Sequence, residues 1–144
     1  MRALDLAQRL GVRTETVRRW MIRLDRWPFP GAGGFPKRQG VQLTDDDVRA
    51  VTVAIRVADY DDREAPQSAS TTRAINAATC TIEHPWASHI LATPDWASAH
   101  ESAASMIAVW YARDTPVAAF VDVEAVMAPI TSPAPEATEG NVAS

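Results

Sequence analysis

Apolar positions fall at helical spacing over residues 4–27 and again over 45–57, on either side of a Pro/Gly-rich stretch, and lose a clear period after them. Leu4, Leu6, Ala7 and Leu10 make a short amphipathic helix, and Gly11 stands where such a helix ends. Thr14 is placed to cap a second helix, its hydroxyl accepting from the orphan amides of the first turn. At about 100° per residue, Val17, Trp20, Met21 and Leu24 share one face of that helix. Glu15, Arg19, Ile22 and Arg26 fall opposite, Arg18 and Arg23 lie on the flanks, and Pro28 and Pro30 end the run. Residues 28–40, PFPGAGGFPKRQG, can only be an irregular exposed loop. Val41-Gln42-Leu43 is a short extended piece, after which Thr44 caps a third helix through Val48, Val51, Ile55 and Val57. Its first turn holds Asp45, Asp46 and Asp47, where the helix dipole favours negative charge.

Residues 59–71, acidic and then small and polar, read as a linker. Beyond it, Ser70 or Thr71 could cap a helix to about Thr79. Thr93-Pro94-Asp95 is a helix-start signature, with proline at the first helical position, ahead of Trp96, Ala99, Ala103, Met106, Ile107 and Trp110. Thr115-Pro116 repeats it ahead of Val117, Phe120, Val121 and Met127. A rival reading pairs Met106–Tyr111 with Val117–Val123 as a β-hairpin, since Val121-Asp122-Val123-Glu124 alternates; the helical reading is preferred. From Pro129 the composition is that of a disordered tail. The expected fold is therefore mainly α: a DNA-binding head at 1–58, the linker 59–71, a small helical domain at 72–128 and a tail at 129–144.

Charge sharpens this division. Residues 1–58 hold 11 basic and 6 acidic groups, a net of +5, whereas 59–144 hold 3 and 12, a net of −9; together they give −4. A positive head on a negative body suits a chain that meets phosphate with one end only. Lys37 is the only lysine among the 14 Lys and Arg, the bias of a GC-rich genome, and a bacterial or phage origin is expected. Cys80 is the only cysteine, no apolar run is long enough for a membrane span, and Met1–Leu6 carries charge where a secretory leader would be apolar. A cytoplasmic protein with no membrane partner is expected.

The segment that carries chemistry is LAQRLGVRTETVRRW, residues 6–20. A helix-turn-helix needs a small residue where the helices cross, a turn residue tolerant of positive φ, and apolar residues that lock the crossing; Ala7, Gly11, Val12 and Val17 supply these. The second helix then offers its N-terminal side chains to the major groove of double-stranded DNA. Arg13, Thr14, Glu15, Thr16, Arg18, Arg19 and Arg23 are the candidates to reach bases and phosphates.

That segment resembles the head of MerR-type regulators and the related excisionase-like winged-helix domains, and Gly40-Val41-Gln42-Leu43-Thr44-Asp45-Asp46-Asp47-Val48 stands where those proteins have a strand and an acidic helix start. The resemblance covers residues 3–57 and implies a winged helix-turn-helix with the Pro/Gly loop as wing. It implies Thr16, Arg18 and Arg19 as recognition contacts and Lys37 and Arg38 as wing contacts. Two features depart from the family: Val41-Gln42 replaces its usual Tyr-Arg, and Asp59–Thr71 breaks the pattern of its dimerising coiled coil. The expected function is sequence-specific DNA binding by a transcription regulator, a repressor before an activator. An excisionase (a recombination directionality factor) is the alternative, as is a protein-interaction module tethered to DNA. Residues 72–128 are expected to serve a homodimer, a protein partner or a ligand.

Other chemistry is weaker. Cys80 and His84 are four apart, with His89 and His100 nearby, but Pro85 interrupts any helix there and no metal site is expected. Trp86, Trp96, Trp110 and Tyr111 fit core packing better than a ligand pocket. No nucleophile with an ordered base is recognisable, so neither catalytic residues nor a cofactor is expected and the chain is read as a non-enzyme.

Overall fold

A computed structural model describes residues 1–25, 43–61, 67–114 and 117–131. Among these the fold is mainly helical with one small sheet: α1 (Ala3–Leu10), α2 (Thr14–Asp25), α3 (Asp45–Asp61), α4 (Gln67–Glu83), β1 (His89–Ala92), β2 (Ala97–His100), α5 (Ala103–Arg113), β3 (Ala119–Asp122) and α6 (Val123–Thr131). No helix of the described residues is long and apolar enough to cross a membrane.

α3 is the central element. Thr44 and Asp47 form a reciprocal capping box at its start: the Asp47 amide donates to Thr44 Oγ1 and the Thr44 amide to Asp47 Oδ2, both at 3.1 Å. Every residue from Ala50 to Ile55 is at most 4% exposed. A helix that touched the core on one side would alternate along that run, so α3 must be covered all round. α2 covers one side with Val17, Trp20 and Leu24, and α1, packed on α2, adds Leu6 and Leu10 to the same cluster. The widest packing in the molecule is with α4, whose Ala74, Ala77 and Ala78 are fully buried and small enough to bring two backbones close.

The sheet has order β2-β1-β3, antiparallel throughout. Its register puts Ile90, Ala99 and Val121 on one face and Leu91, Ser98 and Phe120 on the other. The first face joins the core shared with α3 and α4. The second carries α5, giving a helix–sheet–helix stack. α6 then returns to the head: Arg9 Nη1 on α1 donates to the carbonyls of Pro129 and Ile130 at 3.4 and 3.3 Å.

Several expectations for the second half are corrected. The segment 59–71 is helical at both ends, since α3 runs to Asp61 and α4 begins at Gln67, and α4 continues past Thr79 to Glu83. Thr93-Pro94-Asp95 starts no helix; it begins the four-residue connection between β1 and β2. The Thr93 hydroxyl accepts from the amides of Asp95 and Trp96 at 3.2 and 3.0 Å and donates to the Trp96 carbonyl. A threonine hydroxyl that gathers following amides serves a turn as well as a helix cap, so one signature has two outcomes. Helix start falls instead at Ser102, whose hydroxyl accepts from the Ser105 amide at 3.1 Å. Neither reading of 106–123 is fully met: 103–113 is helical, while 119–122 is a strand paired with β1. α6 also passes Pro129, because Arg9 and the Thr131 hydroxyl, which donates to the Met127 carbonyl, satisfy carbonyls of its last turn.

The central position of α3 predicts two opposite outcomes in urea unfolding. Ile55→Ala should cost about 2–5 kcal/mol, the penalty for a core cavity. Thr52 is fully buried and its Oγ1 has no hydrogen-bond partner among the described residues. Thr52→Val should therefore raise stability by about 1 kcal/mol; a loss of stability would show that the hydroxyl is satisfied.

Candidate nucleic-acid interface

α1 ends in a motif that fixes the chain direction. Gly11 has φ +70°, its amide donates to the Gln8 carbonyl at 3.3 Å, and the Val12 amide reaches back to the Ala7 carbonyl at 3.0 Å. That left-handed position is the one where the turn requires glycine. The Arg56 guanidinium on α3 donates to the Leu10 carbonyl at 3.4 Å, so the end of α1 is also held from the core.

α2 begins at the expected cap residue, Thr14, so the cap position falls one residue earlier. The amides of Thr16 and Val17 both donate to the Arg13 carbonyl, at 3.0 and 3.4 Å, so Arg13 occupies the boundary and Thr14 is already helical. Val17, Trp20, Met21 and Leu24 are buried as the spacing implied. Arg13, Glu15, Arg18 and Arg19 are exposed, while Thr14 and Thr16 are half-buried between the two faces. Ile22, 52% exposed, lies on the charged face. Arg23 is only half-exposed, because its guanidinium carbon sits 4.6 Å from the centre of the Trp20 ring. This stacking holds the cation against its own helix. Lys37 and Arg38, and the loop that carries them, lie outside the described residues.

Not every arginine of the positive end is available to a ligand. Arg9 and Arg56 serve helix carbonyls, and Arg49 Nη1 lies 3.9 Å from Asp46 on its own helix. Arg2 is exposed at the start of α1 and was not singled out; its only sequence signal is charge. What remains on α2 is an exposed cationic strip, Arg18 and Arg19 with Glu15 beside them, and Arg13 is exposed just ahead of the helix. An exposed helical strip of this kind, next to the positive end of the helix dipole, attracts phosphate.

The remaining candidates do not converge. Cys80 is buried on α4, and burial first, then the Glu83 charge, pushes its thiol from an ordinary 9.0 up to about 11. His84 follows the end of α4 and packs edge-on to Trp86 at 5.8 Å, whereas His89 and His100 are on strands. Among the described residues no three His, Cys, Asp or Glu side chains come together to hold a metal. The expected aromatic core is also revised. Trp86 and Tyr111 are 57% and 76% exposed, Trp96 lies under the Arg113 guanidinium, and Trp110 meets Tyr111 and Phe120 edge-on.

Comparison with protein-family models, with curated proteins and with solved structures gave no match for this chain. The raised thiol makes a direct prediction. Moving the pKa from 9.0 to about 11 removes two decades of thiolate at neutral pH. Iodoacetamide should therefore modify native Cys80 at least about a hundred times more slowly than the urea-unfolded chain. Equal rates would show an accessible, ordinary thiol.

Proposed function

We propose that this protein binds double-stranded DNA sequence-specifically through a winged helix-turn-helix head and acts as a transcription regulator, as a repressor. The observation that carries this reading is α2, whose one face is locked into the core by Val17, Trp20, Met21 and Leu24 while the other presents Arg18 and Arg19 to solvent, with Arg13 exposed just ahead of the helix. A recognition helix needs both properties: an anchored back that fixes its angle, and a free cationic front that can reach base edges and phosphates. The tight Gly11 turn and the short α1 in front of it support the same reading. Arg18 and Arg19 are assigned to base edges, Arg13 to the phosphate backbone, and Lys37 with Arg38 to the wing.

A protein-interaction role for the second half is favoured by one further observation. Ile107, Val117 and Phe120 are each more than 40% exposed, and with Tyr111 they leave α5 and β3 with large apolar side chains in solvent. A second protein surface covering them would let the regulator bind DNA as part of an assembly.

The test is selection of duplexes from a random library followed by anisotropy titration. Arg18→Ala and Arg19→Ala should each weaken the selected duplex by about 1–3 kcal/mol. Arg23→Ala should cost less, since its guanidinium is stacked on Trp20. Changing Lys37 and Arg38 together to alanine should weaken all sequences alike and flatten the salt dependence, by about 0.9 in log–log slope per lost phosphate contact. Parent-like binding by both the Arg18 and Arg19 variants removes the assignment of α2 as the reading helix.

A further inference from the structure

The seam between α5 and the sheet is closed by a histidine that the proposed function does not use. His100 ends β2 and is 7% exposed. Its Nε2 lies 2.7 Å from the Ser98 hydroxyl on the same strand, and its Nδ1 lies 3.1 Å from the Ser105 hydroxyl in the first turn of α5. A neutral imidazole has one N–H and one lone pair, and a hydroxyl can donate or accept, so the bridge Ser98–His100–Ser105 is complete without charge.

A proton added to this ring meets three penalties. The ring would carry its charge away from water. His89 stands directly opposite on β1, in the register His89↔His100. The N-terminus of α5, the positive end of its dipole, begins two residues on at the cap Ser102. The acids nearby do not offset these. Asp122 on β3 has one oxygen 4.0 Å from His89 Nε2, and its other accepts from the Ala125 amide at the start of α6. Glu101 is exposed, and its carbonyl accepts from Ser88 Oγ at 2.7 Å, which leaves that hydroxyl to accept from His89 Nδ1 at 2.9 Å. α5 carries no charged residue before Arg113, and α4, with Arg73 and Glu83, packs on the opposite face of the sheet.

At its start α5 is otherwise held by one buried side chain, and at its far end Trp110 packs edge-on to Phe120 and Arg113 lies over Trp96. Met106 is its one buried residue, against a sheet face whose Leu91 is fully buried; Ile107 and Tyr111 face solvent.

We propose that Ser98–His100–Ser105 is a pH-sensitive latch, which keeps α5 on the sheet while His100 is neutral and lets it undock when His100 takes up a proton. Burial, and then the His89 charge, hold the docked ring below the ordinary value of 6.5. The undocked ring keeps that ordinary value, so the docked state is fully stable above it. As the pH falls below 6.5 the undocked form binds more protons, and docking is progressively lost.

Hydrogen exchange of the full chain, read by mass spectrometry at about pH 7.5 and about pH 5.5 and corrected for intrinsic rates, tests this. Amides in Met106–Tyr111 should lose protection at the lower pH, by up to about tenfold, relative to Val51–Ile55 in α3. His100→Gln, which keeps an uncharged hydrogen-bonding side chain, should abolish that difference. Unchanged relative protection in the parent, or the same loss in a folded His100→Gln protein, overturns the latch. An NMR titration of the parent needs no variant: His100 should titrate below 6.5, and a value at or above it also overturns the proposal.

Discussion

Everything in this molecule is arranged around the need to cover α3 on every side. Six consecutive buried residues, Ala50 to Ile55, leave no solvent face for two turns of helix. α2, backed by α1, supplies one wall and α4 another, with α6 closing against it as well. The cationic face of α2 is thus a by-product of burial: once Val17, Trp20, Met21 and Leu24 are committed to α3, Arg18 and Arg19 have nowhere to go but outward. The sheet depends on the same helix at one remove, since Ile90 and Val121 complete the cluster that α3 and α4 begin.

The three helices α1 to α3 could be read from sequence because their signals agree with one another. Apolar spacing, the glycine after α1 and the Thr44 cap all mark elements that form locally, and the three helix starts lie within a residue or two of their predicted places. The second half lacked that agreement. β1 and β2 are four residues each, and β2 is Ala-Ser-Ala-His, a composition with no strand preference. Such strands exist only because a partner supplies their hydrogen bonds, β1 being paired on both sides and β2 on β1 alone, which no local pattern records. The Thr93-Pro94-Asp95 signal was real but ambiguous, because the threonine hydroxyl organises a hairpin connection with the same bonds that would cap a helix. Short runs of alternating residues also misled where they met a helix start, as at Asp122, which ends β3 and caps α6 at once. On the candidate interface, exposure of Arg18 and Arg19 followed from periodicity. The stacking of Arg23 on Trp20 lay within one turn and was open to inference from spacing; the use of Arg9 on α6 was not, since its partners are 120 and 121 residues away.

An arginine at the positive end can do either of two jobs, and net charge does not separate them. A guanidinium offers five donors, so it can close a helix C-terminus whose carbonyls lack partners as well as meet phosphate. Arg56 does the first for α1 and Arg9 for α6. Both are half-buried, and both would be poor ligands for an anion because moving them would strip carbonyls of their donors. The excess of +5 over residues 1–58 therefore overstates the field that a ligand meets. The local strip on α2 is the better measure of it.

Arg9 has a consequence for how the two halves act together. Through it, the last turn of α6 is bonded to α1, one residue before the helix ends and two before the Gly11 turn that aims α2. The sheet-bearing half is therefore attached to the head at two places, along α3 and α4 and again through α6. A single flexible joint would leave the orientation of α2 independent of whatever the second half contacts. Two attachments make the described elements one lever: a partner that tilts the sheet must tilt α6, and α6 cannot move without either carrying α1 or abandoning its donor. Under the proposed function, a contact made on β3 and a contact made by α2 would share one frame. Two copies joined through the second half would hold their reading helices at a separation set by the fold rather than by a linker, and would tolerate little variation in half-site spacing.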